Sequence, residues 1–146
     1  MTPESENSGD GPHNVVLVKQ VPDMDEVEFD SDKGRIDRSS AGVEINPFDL
    51  NALEAAIRIK EDIGGTITAI SMGPPQAESA LQEAMMRGVD RGILLSDKAF
   101  AGSDTLATSF ALYMAIRQLD TYDFIFCGEK TVDGDTGQVG PEVAEK

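Results

Sequence analysis

The sequence alternates short apolar runs with longer segments of helical periodicity, and this alternation strongly limits the folds open to the chain. Four runs stand out: Asn14–Lys19, Thr66–Ser71, Gly92–Ser96 and Asp123–Cys127. A short apolar run bounded by turn residues is typical of a strand buried on both faces. Strands that alternate with helices form right-handed βαβ units around a parallel sheet. The pattern therefore predicts an α/β fold with a parallel sheet and flanking helices.

The predicted helices have recognisable boundary signals. Asn46 is a favourable N-cap residue and Pro47 suits the first helical position, so the first helix is expected to run from there to about Ile63. Three more helices are predicted: from the turn Gly73–Pro75 to Arg87, from Ser103 or Asp104 to about Leu119, and from Pro141 onward. A small hairpin, Val27–Asp30 with Gly34–Arg38, is expected before the first helix.

The length of 146 residues suits one domain. Residues Met1–His13 are polar and rich in Ser, Gly, Pro and acid, so we expect a disordered acidic tail followed by one α/β domain over residues 14–146. His13 is the only histidine and Cys127 the only cysteine, so neither a catalytic residue nor a metal ligand is predicted. With no recognisable secretory signal or membrane span, the sequence is typical of a cytoplasmic protein.

The net charge of the chain limits the classes of molecule that it is expected to bind. The formal net charge is −15, from 27 acidic and 12 basic residues. An acidic surface disfavours nucleic acid, which needs a positive one, and docking on anionic lipids. The acidic residues are spread along the chain, which is typical of a protein from a salt-adapted organism. An acidic docking face is the alternative.

The segment Asp133–Pro141, with the sequence DGDTGQVGP, follows the fourth predicted strand and precedes a helix. Its three glycines allow close approach of the backbone to a ligand, and free N–H groups at a helix start suit a phosphate. Ligands of parallel sheets bind beyond the carboxyl ends of the strands, where the loops Gln20–Asp25, Ser71–Pro75, Asp97–Asp104 and Gly128–Gly140 are expected. A phosphate loop and an ordinary glycine-rich connection both fit these residues.

Two other interpretations of this segment fail on residue identity or position. A calcium loop would need an acid or amide at position 137 and a Glu at 144, where the chain has Gly137 and Ala144. A phosphotransferase site with paired aspartates normally follows the first strand, whereas Asp133 and Asp135 follow the fourth. The two carboxylates would repel a phosphate unless they are compensated. We expect them to point at ribose hydroxyls or outward, and the sequence leaves this open.

Four segments together resemble the β subunit of electron transfer flavoproteins, including its FixA branch. They are VLVKQVPD near the N-terminus, INPFDLNALEAAIRIKE, ISMGPPQAESALQEAMMRGVDRGILLSD and CGEKTVDGDTGQVGPEVA. The resemblance extends from Asn14 to Lys146 and implies a Rossmann-like domain of the adenine-nucleotide-binding type. A complete β subunit continues well beyond this point, so we expect a truncated domain.

The resemblance also implies a set of cofactor-binding residues at the predicted strand ends and loops. The implied residues are Leu17, Asn46, Pro47, Phe48, Asp49, Met72, Asp133, Gly134, Asp135, Thr136, Gly137, Gln138, Val139, Gly140, Pro141, Glu142, Val143 and Ala144. Asn46 is expected both to cap the helix and to contact adenine.

In the family that the chain resembles, the β subunit holds AMP or a second FAD and pairs with an α subunit that carries the electron-transferring FAD. The resemblance implies an electron carrier, not an enzyme with its own substrate turnover, that passes electrons from flavin dehydrogenases to a quinone oxidoreductase or another acceptor. A glycine at position 134 resembles the bifurcating branch of the family and favours FAD as the ligand of this subunit, because plain carriers have an acid at the corresponding position. A nucleotide-binding signalling protein similar to universal stress proteins is the alternative, although their phosphate-loop glycines are not found.

Overall fold

The computed structural model describes residues 11–37 and 41–146. The predicted tail up to residue 10, and Arg38 of the predicted hairpin, lie outside these ranges. The strands are β1 His13–Leu17, β2 Gln20–Pro22, β3 Glu28–Asp30, β4 Arg35–Asp37, β5 Val43–Ile45, β6 Thr66–Met72, β7 Arg91–Leu95 and β8 Phe124–Cys127. The helices are α1 Pro47–Ile63, α2 Glu78–Arg87, α3 Thr105–Arg117 and α4 Val139–Glu145.

Four parallel strands form the central sheet, in the order β7-β6-β1-β8. This confirms the predicted parallel α/β fold, and each of the four predicted strands is present with no end shifted by more than two residues. The largest shift is at β1, which ends at Leu17 instead of Lys19. Its first residue is His13, whose backbone N–H donates to Asp123 Oδ2 at 2.8 Å. His13 therefore belongs to the sheet and not to the predicted tail.

Helices cover both faces of the sheet, and side chains of β1 and of Val18, the residue after it, pack in the core on each face. Val16 and Val18 lie in a core with α1 and α2, whereas Val15 and Leu17 lie in a second core with α3 and α4. Successive side chains of a strand point to opposite faces. A strand covered on both sides must therefore be apolar at consecutive positions, which explains the continuous run at β1. The expected burial on both faces holds for β1 and β6 but is wrong for β8, where three of four residues are exposed because it is an edge strand with a neighbour on one side only.

The segment before α1 forms two antiparallel pairs. The hairpin of β3 and β4 matches the prediction over its described residues. Gln20–Asp25 was predicted as a loop, and this is wrong for Gln20–Pro22, which forms β2 and pairs with β5. The pairing partner lies more than twenty residues along the chain, so no local pattern reveals it. No helix in the described part of the chain is long and apolar enough to span a membrane.

We expect Leu53→Ala to lower the free energy of unfolding by about 2–5 kcal/mol, because Leu53 is 1% exposed in the core beneath α1 and its truncation leaves a cavity. Leu106→Ala is the matched control, since Leu106 on α3 is 59% exposed, and it should change stability by about 0.5 kcal/mol or less. Urea unfolding followed by circular dichroism measures both. Equal losses in the two variants would contradict the assignment of Leu53 to the core.

Candidate functional site

The sheet has one topological switch point, between β1 and β8. From β1 the chain proceeds outward to β6 and β7, then returns to place β8 on the other side of β1. In parallel sheets the crevice beyond the carboxyl ends of the strands at such a point is the usual ligand site. The loops after β1 and β8 therefore form the walls of the candidate site.

Asn46 ties the start of α1 to the loop after β8. The residue is fully buried, its Nδ2 donates to the Lys130 carbonyl at 2.8 Å, and its Oδ1 accepts from the Val132 N–H at 3.1 Å. The prediction that Asn46 caps the helix is correct for its position but wrong for its side chain, which makes no capping hydrogen bond. The side chain is committed instead to two loop backbone groups, which need partners.

Asp49, in the first turn of α1, holds the backbone that follows β1. Its Oδ2 accepts from the Lys19 N–H at 2.9 Å. Its Oδ1 lies against Gly128, where a Cβ atom would come within 2.4 Å of that oxygen and 2.7 Å of the Phe48 carbonyl carbon. Gly128 thus lets the chain leaving β8 approach α1 closely. Burial raises the pKa of Asp49 to about 6, although hydrogen bonds from Asn46, Lys19 and Gly128 oppose this shift.

Two lysines compensate the paired aspartates of the predicted phosphate loop. Lys19 Nζ contacts both carboxylate oxygens of Asp133, at 3.1 and 3.0 Å. Lys130 Nζ lies 2.7 Å from Asp135 Oδ1 and 5.6 Å from the centre of the Phe48 ring. Burial alone would raise the pKa of Asp133, but hydrogen bonds from Lys19 and Thr131 and the Lys19 charge outweigh it, and the pKa is lowered.

Asp135 and Lys130 hold the middle of the loop. The hydrogen bond from Lys130 to Asp135, together with the charge of that carboxylate, raises the pKa of Lys130. Asp135 has a φ of 56°, a left-handed conformation that Asp tolerates better than most residues. Gly137 also has a positive φ, of 62°, as expected for a glycine of this loop, whereas Gly134 and Gly140 do not.

The start of α4 packs closely against β8 and α3. A Cβ atom at Gly140 would lie 2.7 Å from Cys127 Sγ, so only glycine fits there without a shift. Thr105 Oγ1, in the first turn of α3, lies 3.1 Å from both Gln138 Oε1 and Glu142 Oε1. The second oxygen of Glu142, Oε2, is buried and has no partner among the described residues.

The structure brings together only part of the predicted site. Asn46, Phe48 and Asp49 contact the loop after β8. Leu17 and Val143 instead pack in the core with α3, and Met72 packs against that core, so a ligand could reach mainly the backbone of Leu17. The remaining predicted positions, Pro47 and those from Gly134 to Ala144 apart from Val143, are exposed or half-buried, and the half-buried Val139 packs against the same core as Met72.

Sequence reasoning did not single out five residues at or near this site: Lys19, Ser71, Thr105, Gly128 and Lys130. Three of them, Ser71, Gly128 and Lys130, nevertheless lie in loops that were expected at the carboxyl edge. Lys19 ends the first apolar run and Gly128 directly follows the fourth, so their position at the carboxyl edge was a usable signal. The Ser71 hydroxyl, near the carboxyl end of β6, is buried without a partner among the described residues. No local pattern marked Ser71, Thr105 or Lys130, because their contacts depend on how distant segments meet.

Comparison with known proteins identifies the family of this chain. The model of the electron transfer flavoprotein domain matches residues 33–146, which include the whole loop after β8. The chain belongs to the electron transfer flavoprotein family. An electron transfer flavoprotein subunit beta from Thermoanaerobacterium thermosaccharolyticum is 54% identical over 132 residues, which cover 90% of this chain and 50% of that relative.

Two further relatives agree with this assignment. Protein FixA of Azotobacter vinelandii is 49% identical over 137 residues, covering 92% of this chain and 49% of its own length. The acryloyl-CoA reductase electron transfer subunit gamma of Anaerotignum propionicum is 46% identical over 133 residues, covering 90% of this chain and 50% of its own. This member of the electron transfer flavoprotein family therefore spans about half the length of the curated relatives that it matches.

We expect Asp49→Asn to remove a pH dependence of stability, so that the free energy of unfolding of the variant relative to the wild type rises by up to about 3 kcal/mol between pH 4 and pH 7. Because the pKa rises from 3.8 to about 6 on folding, the folded state binds more protons between these values, and stability falls as pH rises through this window. The variant lacks this titration, and because an amide nitrogen cannot accept a backbone hydrogen bond, it also carries a loss of stability that is the same at every pH. The difference between the variant and the wild type should therefore move in favour of the variant as pH rises from 4 and level off above pH 7. Urea unfolding from pH 4 to 8 measures it, and a pH-independent difference would contradict this origin.

We expect Asn46→Ala to cost about 2–4 kcal/mol, because it leaves the Lys130 carbonyl and the Val132 N–H without their partner. Hydrogen exchange should accelerate at Val132. Asn51→Ala is the matched control, since Asn51 is exposed on the same helix, and it should change stability by about 0.5 kcal/mol or less. Unchanged exchange at Val132 in the Asn46 variant would show that the loop does not depend on this side chain.

Proposed function

We propose that this chain is the nucleotide-binding part of an electron transfer flavoprotein β subunit and acts as an electron carrier without substrate turnover of its own. The observation that carries the proposal is the meeting of three segments at the switch point. The end of β1, the start of α1 and the loop after β8 are joined there by Asn46, Asp49 and Lys19. Four of the cofactor-binding positions that the family resemblance implies, Asn46, Phe48, Asp49 and Asp133, lie at this junction.

Unsatisfied polar atoms near the carboxyl edge support a bound nucleotide. Three side-chain atoms are buried without partners among the described residues, and two of them, Ser71 Oγ and Glu142 Oε2, lie toward this edge, whereas Asn14 Oδ1 lies at the amino end of β1. A buried polar atom without a hydrogen bond is costly, and the hydroxyl and amine groups of a nucleotide could supply the missing ones. The start of α1 and the loop from Gly128 to Gln138 would hold the ligand.

We propose FAD over AMP as the ligand of this chain. At Gly134 a Cβ atom would meet only Thr131 Oγ1, at 3.4 Å, so the space beside this glycine is open to a large ligand. A bound flavin supplies reversible uptake and release of electrons, and the protein contributes its position and surroundings. With AMP in the same place, the electron-carrying flavin would lie in the partner subunit alone.

The proposal extends to partners and location. The chain would pair with an FAD-carrying α subunit and pass electrons from flavin dehydrogenases to a quinone oxidoreductase or another respiratory acceptor, with bifurcation if FAD is bound here. The names of the relatives, which include subunits beta and gamma of electron-transfer proteins, support a partner chain. The formal charge of −15 supports protein partners over nucleic acid, and we propose a cytoplasmic location for the complex.

Cofactor analysis of the complex tests this proposal. We expect co-production with an electron transfer flavoprotein α subunit from the same genome to give a heterodimer that contains two FAD, one in each subunit. Gly134→Glu places an acid beside the loop and should remove the FAD of this chain while leaving the FAD of the partner. Ala55→Glu, at an exposed position of α1, is the matched control and should keep both.

The outcomes are distinct. FAD together with AMP in the wild-type heterodimer would replace the bifurcating form of the proposal with the plain carrier. A stable, folded heterodimer without any flavin would overturn the proposed function.

A further inference from the structure

The ion pair between Lys19 and Asp133 crosses the crevice between β1 and β8. It joins residues 114 positions apart in the sequence, whereas the pairs Arg58–Glu54 and Arg87–Glu83 each lie within one helix. The side chain of Lys19 is 44% exposed and that of Asp133 is 19% exposed. A charge pair at the mouth of a ligand site can therefore be reached by a charged ligand.

The backbone on both sides of this pair is fixed. The Lys19 N–H donates to buried Asp49 and the Lys19 carbonyl accepts from the Asn46 N–H at 2.8 Å. On the opposite wall Asn46 holds Lys130 and Val132, which directly precedes Asp133. The backbone of Lys19 thus has a defined position facing the backbone that carries Asp133, and the flexible side chain of Lys19 can bring its ammonium group to the carboxylate or to a ligand.

We propose that Lys19 is an anion-binding residue of this site and that Asp133 is its internal competitor. Without ligand the Asp133 carboxylate pairs with the Lys19 ammonium group. When a nucleotide binds, one of its phosphate groups replaces the carboxylate as the partner of Lys19. This inference rests on the proposed nucleotide site and adds a residue to it. No bond is made or broken in the exchange, and one charged hydrogen-bond acceptor replaces another.

The exchange is favourable on general grounds. A half-exposed ion pair between side chains is weak, so little is lost when it opens. A phosphate offers more charge and more acceptor oxygens than a carboxylate and forms strong charge-assisted hydrogen bonds. In a chain of charge −15, a preformed pair also keeps the crevice from presenting an uncompensated carboxylate to an incoming anion.

Two variants with opposite expected effects test the inference. Asp133→Asn removes the competitor and should tighten binding of AMP and FAD about two- to fivefold. Lys19→Met removes the anion-binding group and should weaken both about tenfold or more, whereas Lys19→Arg should retain most of the affinity. Adenosine, which has no phosphate, should bind all of these variants like the wild type. Calorimetric titration of the purified protein at low and high salt measures these affinities.

Glu54→Gln is the matched control, because it removes one negative charge from an exposed pair on α1 and leaves the crevice unchanged. It should not alter AMP affinity. Weaker AMP binding by Asp133→Asn would overturn the inference, since Asp133 would then be a ligand or a support of the loop. Equal changes for adenosine and AMP would overturn it as well. If the wild type binds neither AMP nor FAD, the nucleotide site itself fails, and the proposed function fails with it.

Discussion

Two buried polar side chains at the start of α1, Asn46 and Asp49, hold the loops of the switch point together. Asn46 supplies a donor and an acceptor to the backbone of the loop after β8, and Asp49 accepts from the backbone that follows β1. Backbone groups buried at the junction of three segments must be satisfied from somewhere, and these side chains reach them. Without them neither wall of the crevice would have a defined position.

This arrangement lowers the stability of the fold at neutral pH, because the Asp49 carboxylate is buried there in its charged form. A carboxylate in an apolar setting favours its protonated form, and the pKa of about 6 reflects this preference. Groups with strongly perturbed pKa values cluster at functional sites, where local stability is given up for a required geometry. Asp49 fits this pattern because it lies at the topological switch point, where the fold offers its ligand crevice.

The sequence predicted the architecture well because burial controls it. The four strands of the parallel sheet, the hairpin of β3 and β4, and the ends of α1 at Pro47 and Ile63 each follow from local patterns of apolar, turn and capping residues. Predictions failed where a distant partner decides the outcome. The pairing of β2 with β5 and the use of the Asn46 side chain by the loop, in place of the helix end, are of this kind.

The sequence by itself determined the parallel α/β fold, the loops at its carboxyl edge and the family to which those loops point. The tertiary structure alone decided what the charged and polar residues of these loops do. Asp133 and Asp135 face separate lysines, and Leu17 packs in the core although its position matches the site. Residues on one face recur every two positions in a strand and every 3.6 in a helix, so the apolar pattern is visible in the sequence alone. Polar contacts across the crevice join residues as many as 114 positions apart, and only the folded arrangement of strands and helices sets their distances.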